Sequence, residues 1–155
     1  MKRLPVLDRA VKLLAVRSRT EEELRRALSR AGYPEEERES AVARLRELGY
    51  LNDVDVARAR ARSLLDRGAA AGLSQRRLEE QGIRPPDAAA AVGEAAEGST
   101  DEDRVRRALD RRLRGRASMD EAEKVRTFRA LVRKGHRPTL VARALGIGWD
   151  GDDDV

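Results

Sequence analysis

Arg104, Arg107, Arg111 and Arg114 recur at intervals of three or four residues, a spacing that on an α-helix confines them to about 80° of arc. Arg106, Arg112 and Arg116 stand beside them. A guanidinium is a planar, permanently charged fork that pairs bidentately with phosphate or carboxylate. The chemistry on offer is therefore anion recognition, directed at phosphates or at an acidic protein surface. The competing reading is a helix face that meets only water, as charge runs usually do. Arg25 and Arg26 each follow a glutamate by four residues, Glu21 and Glu22, the favourable order for ion pairs along a helix. Local pairing is the simpler role for these two. Arg76 and Arg77 have acidic neighbours at poorer spacing and are freer to bind a ligand.

Residues that make or break bonds are scarce. No cysteine is present, which removes thiolate nucleophiles, disulfides and cysteine metal sites. His136 is the one histidine, too few for a histidine metal cluster, and its position in the repeat described below marks it for packing. Thr20, Ser74 and Thr100 read as helix N-caps with no base at motif spacing. The carboxylate runs Glu21–Glu23 and Asp101–Asp103 suit first turns, where the helix dipole favours negative charge. Tyr33, Tyr50, Phe128 and Trp149 are too scattered to form a base-stacking platform, and Tyr33 and Phe128 read as core. An enzyme is the least favoured class, with no cofactor or metal expected.

The elements that must carry the arginines follow from composition. Of 155 residues, 39% are charged and 3% aromatic, and 29 of the 33 basic residues are arginine. Such a mixture suits helices, and no stretch alternates with β-branched or aromatic residues as a strand would. No apolar run is long enough for a membrane span or a signal peptide, so a soluble cytoplasmic protein is expected. The net charge is +5 but uneven: +3 over residues 1–49, −1 over 50–99, +7 over 100–149 and −4 over 150–155. A basic final third favours a polyanionic partner.

Punctuation divides the chain. Leu28-x-x-x-Gly32-Tyr33, Leu78-x-x-x-Gly82-Ile83 and Leu131-x-x-x-Gly135-His136 are each followed within three residues by a proline: Pro34, Pro85 and Pro138. Glycine just past a helix end accepts the left-handed conformation, and proline then opens the next helix. A second glycine, Gly49, Gly93 or Gly146, is expected to close that helix. The period is 50 and then 53 residues, consistent with a helical repeat array. The expected fold is all-α, an elongated array of three tandem three-helix repeats of helix-turn-helix type without a sheet. The repeats span residues 1–49, 50–97 and 98–147, with a disordered acidic tail over 148–155. Thr20 with Glu23 forms a capping box, Asn52 or Asp53 caps the fourth helix, Ser74 and Asp87 cap the next two, and Thr100 with Asp103 opens the seventh. Units of this size hold small cores and rely on stacking against neighbours; the alanine-rich middle unit buries the least area.

Leu7-Asp8-Arg9-Ala10-Val11-Lys12-Leu13-Leu14, the Thr20-Glu21-Glu22-Glu23-Leu24-Arg25-Arg26-Ala27-Leu28 segment, and Gly49-Tyr50-Leu51-Asn52-Asp53 resemble motifs of the bacterial RecX family. Glu123-Lys124-Val125 through Gly135 is similar to that family's third repeat. The likeness spans residues 7–146. The chain departs from the pattern at Val56, where the family usually has an aromatic residue, and over Arg67–Ser74, where the family usually has a Lys-Gly-aromatic-Gly-Pro loop before Arg-Ile. The resemblance implies a non-catalytic, monomeric partner of the RecA recombinase. Such a protein lodges in the groove of the RecA–single-stranded DNA filament, with free DNA as a further ligand. It inhibits filament growth, ATP hydrolysis and strand exchange, and so modulates homologous recombination, DNA repair and the SOS response. Arg104, Arg107, Arg111, Arg114, Arg76, Arg77, Arg25 and Arg26 are the candidate contacts. The alternative is a helix-turn-helix-like protein that binds duplex DNA directly.

Overall fold

The computed structural model describes residues 4–151 and places nine α-helices, and no strand, among them. They run α1 Val6–Val16, α2 Glu21–Arg30, α3 Glu35–Glu47, α4 Asp53–Asp66, α5 Ala71–Glu80, α6 Pro85–Ala96, α7 Asp101–Leu113, α8 Glu121–Arg133 and α9 Pro138–Leu145. None is long and apolar enough to cross a membrane. Buried side chains gather in three clusters, one for each successive helix triplet.

The leucine–glycine–ring pattern fixes the same feature in each triplet. Leu28, Leu78 and Leu131 are buried near the ends of α2, α5 and α8, as are Tyr33, Ile83 and His136 just beyond. Gly32, Gly82 and Gly135 have φ of +82°, +89° and +87°, a turn that side-chain-bearing residues resist. Pro85 and Pro138 open α6 and α9, and Pro34 is the N-cap of α3. Thr20 with Glu23 and Thr100 with Asp103 form capping boxes, and Asn52 caps α4.

Three local expectations are corrected. Ser74 is not a cap: α5 begins earlier, after Ala70, and the buried Ser74 Oγ donates to Ala70 O at 2.9 Å. Asp87 lies inside the first turn of α6, whose N-cap is Arg84. Gly93 does not close α6, which continues to Ala96; glycine without a positive φ is merely a poor helix former.

Successive triplets meet through helix ends in a contact used twice. At the first joint Thr20 Oγ1 donates to Gln81 O at 2.6 Å, and Glu21 N donates to Asp53 Oδ1 at 2.9 Å. At the second, Ala70 N donates to Lys134 O at 2.8 Å and Ala71 N donates to Asp101 Oδ1 at 3.2 Å. The N-terminus of each middle helix thus abuts the C-terminus of the next middle helix. An aspartate at the start of the following triplet takes one of its otherwise unsatisfied N–H groups. Arg60 reinforces the first joint, donating to Glu23 at 2.8 Å and to Gln81 Oε1 at 2.6 Å. Among the described residues, no ion pair crosses the second joint.

Of the tail, Trp149 packs on Phe128 with ring centroids 5.0 Å apart. Residues 152–155, the rest of the acidic tail, lie outside the described residues.

Candidate functional site

The arginine stripe of α7 does not form one open face. Thr100 starts the helix, and one turn later Arg104 is 4% exposed. Its Nε and Nη2 donate to Asp101 Oδ1 at 3.1 and 2.8 Å, and its Nη1 donates to Ser99 O at 3.0 Å. Asp101 is the residue that receives Ala71 N, so Arg104 holds the carboxylate of the second joint. A buried charge is tolerated when paired in this way, and Arg104 cannot at the same time contact a ligand. Arg107 is exposed and donates to Ser99 Oγ at 2.7 Å. With Arg104 and Arg111 it borders a cleft of about 210 Å³ against Leu65, Asp66 and Gly68. Arg111 also lines a second, neighbouring hollow, and Arg114 terminates the helix in a left-handed conformation at φ 48°.

That second hollow is a groove. In the third triplet α9 packs against both α8 and α7, and a cavity of about 640 Å³ lies between α7 and α8. Six cations line it: Arg111, Arg112, Arg114, Arg116, Arg126 and Lys134. One carboxylate, Glu123, faces them, and it is already engaged. Arg116 donates to it at 2.9 and 3.2 Å, and Asp120 N donates to it at 3.1 Å. The Arg116 hydrogen bonds hold the Glu123 carboxyl below its ordinary range, helped by the Asp120 N–H. Lys134 Nζ donates to Arg67 O across the second joint. Among the described residues, Arg111, Arg112, Arg114 and Arg126 make no ion pair, although Arg126 stands near enough to Glu123 to help hold its carboxyl down.

The other predicted residues lie elsewhere. Arg25 donates to Glu39 at 2.9 Å and to Glu21 at 3.2 Å, and Arg26 to Glu22 at 2.8 Å. Both border a groove of the first triplet that also holds Glu22, Glu35 and Glu39, so their charge is largely matched. Arg76 and Arg77 are exposed on α5 without an ion pair among the described residues. Sequence reasoning missed Arg126 and Lys134. The available signal was the basic excess of residues 100–149, which includes α8 as well as α7.

His136 is 2% exposed. Its Nε2 lies 2.9 Å from Gly68 O, while Nδ1 is buried without a partner. A carbonyl can only accept, so the proton sits on Nε2. Burial keeps this imidazole below its ordinary pKa, and it serves the joint by packing. Among the described residues no group of three or more His, Asp or Glu is placed to hold a metal ion.

Residues 7–45 match the model of the RecX first three-helix domain. A protein named Regulatory protein RecX from Amycolatopsis mediterranei is 36% identical over 129 residues, 80% of this chain and 71% of that protein. A protein of the same name from Syntrophotalea carbinolica is 43% identical over 63 residues, 41% of each chain. The crystal structure of RecX from Lactobacillus salivarius superposes with a TM-score of 0.69 at 15% identity, covering 91% of this chain and 92% of that one. A second structure, of a regulatory protein RecX, gives a TM-score of 0.68 at 20% identity over 91% and 70% of the two chains.

Proposed function

The chain belongs to the RecX family, and from that premise we propose that it is a non-catalytic cytoplasmic regulator of the RecA recombinase. It binds the RecA–single-stranded DNA filament as a monomer, with units 1–49, 50–97 and 98–147 following the filament groove. There it inhibits filament growth, ATP hydrolysis and strand exchange, and so modulates recombination, repair and the SOS response. One observation carries the reading: the third triplet gathers six cations around one groove against a single carboxylate that is already paired. A polyanion is the partner complementary to that charge, and a nucleoprotein filament presents one. The outward part of the contact set becomes Arg107, Arg111, Arg114 and the groove residues, with Arg76 and Arg77 on α5. Arg25 and Arg26 contribute less because their glutamates already hold them.

The test is to add the purified protein to a RecA ATPase reaction on single-stranded DNA. Turnover is expected to fall at stoichiometric or lower amounts of protein, with shorter filaments. Unchanged turnover and filament length, together with tight sequence-dependent duplex binding without recombinase, would replace this reading with direct duplex recognition.

A further inference from the structure

We propose that the groove between α7 and α8 is a site for a run of backbone phosphates on one nucleic-acid strand. The inference deepens the reading above and rests on it for the source of the strand. Arg112, Arg114 and Arg126 line the groove without an ion pair among the described residues, and Arg111 and Lys134 close its end toward the second joint. Like charges held around one cavity repel, and an anion within it relieves all of them together. The groove encloses about 640 Å³, room for the phosphates of a strand laid along it to reach the guanidinium groups.

The lining favours phosphate over an acidic protein segment. Protein partners bind tightly through aromatic or aliphatic anchors seated in pockets. The apolar part of the lining is small, with Ala108 and Leu131 buried and only Met119 and Ala130 half-buried, a poor seat for such an anchor. Guanidinium forks match the oxygens of a phosphate in pairs. No aromatic side chain lines the groove, so bases are not stacked, and recognition of the backbone alone is independent of sequence. Arg104 is excluded by its burial, whereas Arg111 and Arg114 of the predicted arc line the groove, so the site lies toward the C-terminal end of α7.

The experiment is fluorescence anisotropy with a labelled oligothymidylate and the full chain, without recombinase, over a salt series. Four or five phosphates give a slope of log affinity against log salt of about −3 for a single strand. The variant R112A/R126A should weaken binding by at least about tenfold, the equivalent of one charged hydrogen bond, and reduce the steepness of the slope by about 1.4. R9A/R44A, on the exposed surface of the first triplet, should change neither. Circular dichroism of both variants should stay helical. A mixed-sequence oligonucleotide should bind like oligothymidylate. Unchanged affinity and slope in R112A/R126A would overturn the site, and so would stronger displacement of the oligonucleotide by polyglutamate than by tripolyphosphate at equal charge. The two readings fail separately: unchanged oligonucleotide affinity in R112A/R126A, with ATPase inhibition intact, removes the site and leaves the regulator. Oligonucleotide binding without any ATPase effect does the reverse.

Discussion

His136, Tyr33 and Ile83 occupy one position in three repeats, and their differences expose what that position requires. All three are buried, but the polar two also reach a backbone carbonyl of another element: Tyr33 Oη donates to Leu4 O at 2.8 Å, and His136 Nε2 donates to Gly68 O. The histidine therefore spans the second joint, and its protonation state bears on how the second and third triplets are held. Burial lowers its pKa from the ordinary 6.5. Protonation would put a proton on the partnerless Nδ1, with burial and the neighbouring Arg104 and Lys134 charges opposing it and the Gly68 carbonyl and Asp101 favouring it. A group whose folded pKa is depressed contributes stability above its unfolded pKa and loses it as pH falls toward the folded value. The urea midpoint should accordingly be steady above about pH 6.5 and decline below it, within the range where histidine titrates. His136→Gln, which keeps an N–H donor without a titrating ring, should flatten that decline. An equal decline in the variant would assign the effect to other groups.

At the scale of elements, the turn glycines separate backbone strain from packing. Gly32, Gly82 and Gly135 have nearly the same positive φ, so alanine meets the same left-handed penalty at each, about 1–2 kcal/mol. Their surroundings differ. A Cβ at Gly32 would have nothing within 4 Å, whereas one at Gly82 would collide with Glu22 Cβ and one at Gly135 would lie 2.5 Å from Leu73 Cβ. The latter two are where one middle helix presses on the end of the next. Gly82→Ala and Gly135→Ala should each destabilise by about 1–3 kcal/mol more than Gly32→Ala, the usual range for overpacking, in chemical denaturation. Equal losses would mean that the joints yield freely. These elements were readable because glycine, proline and the capping boxes act within a few residues of themselves. Ser74 was misread because the N-terminus of α5 is satisfied by Asp101, thirty residues away, a partner that no local capping rule contains. Arg104 was misplaced for a related reason. Spacing gives the arc that a side chain occupies, but the Arg104–Asp101 pair lies on one helix, and it is the joint with the middle triplet, where Asp101 also receives Ala71 N, that decides that the arginine is buried. The groove escaped because it needs α8 to face α7, and the cations on α8 have no shared register with those on α7.

For the whole molecule, charge is distributed as though binding and stability were set against each other. Residues 100–149 hold +7 of net charge while residues 50–99 hold −1, and within the third triplet the cations gather where one neutralised carboxylate offers little relief. The first joint carries the Arg60–Glu23 ion pair at 2.8 Å; the second relies on backbone groups, Asp101, Lys134 and His136. The joint without an ion pair among the described residues thus holds the most self-repelling triplet. Unneeded self-repulsion destabilises a compact state, so its retention points to a ligand that relieves it. Replacing two of the unpaired groove cations with neutral side chains of similar length should stabilise the free protein while weakening anion binding. R112Q/R126Q should melt about 2–4 °C higher than the parent chain at low salt, as about 1 kcal/mol does in a domain of this size. The gap should shrink as sodium chloride approaches about 0.1 M, where screening falls to about 10 Å. Inorganic phosphate should raise the melting temperature of the parent chain more than chloride at equal ionic strength, and that excess should be smaller in the variant, because binding to the folded state adds to its stability. A variant that melts lower than the parent at low salt would place these two arginines among the groups that hold the third triplet together, and the separation between binding and stability would fail.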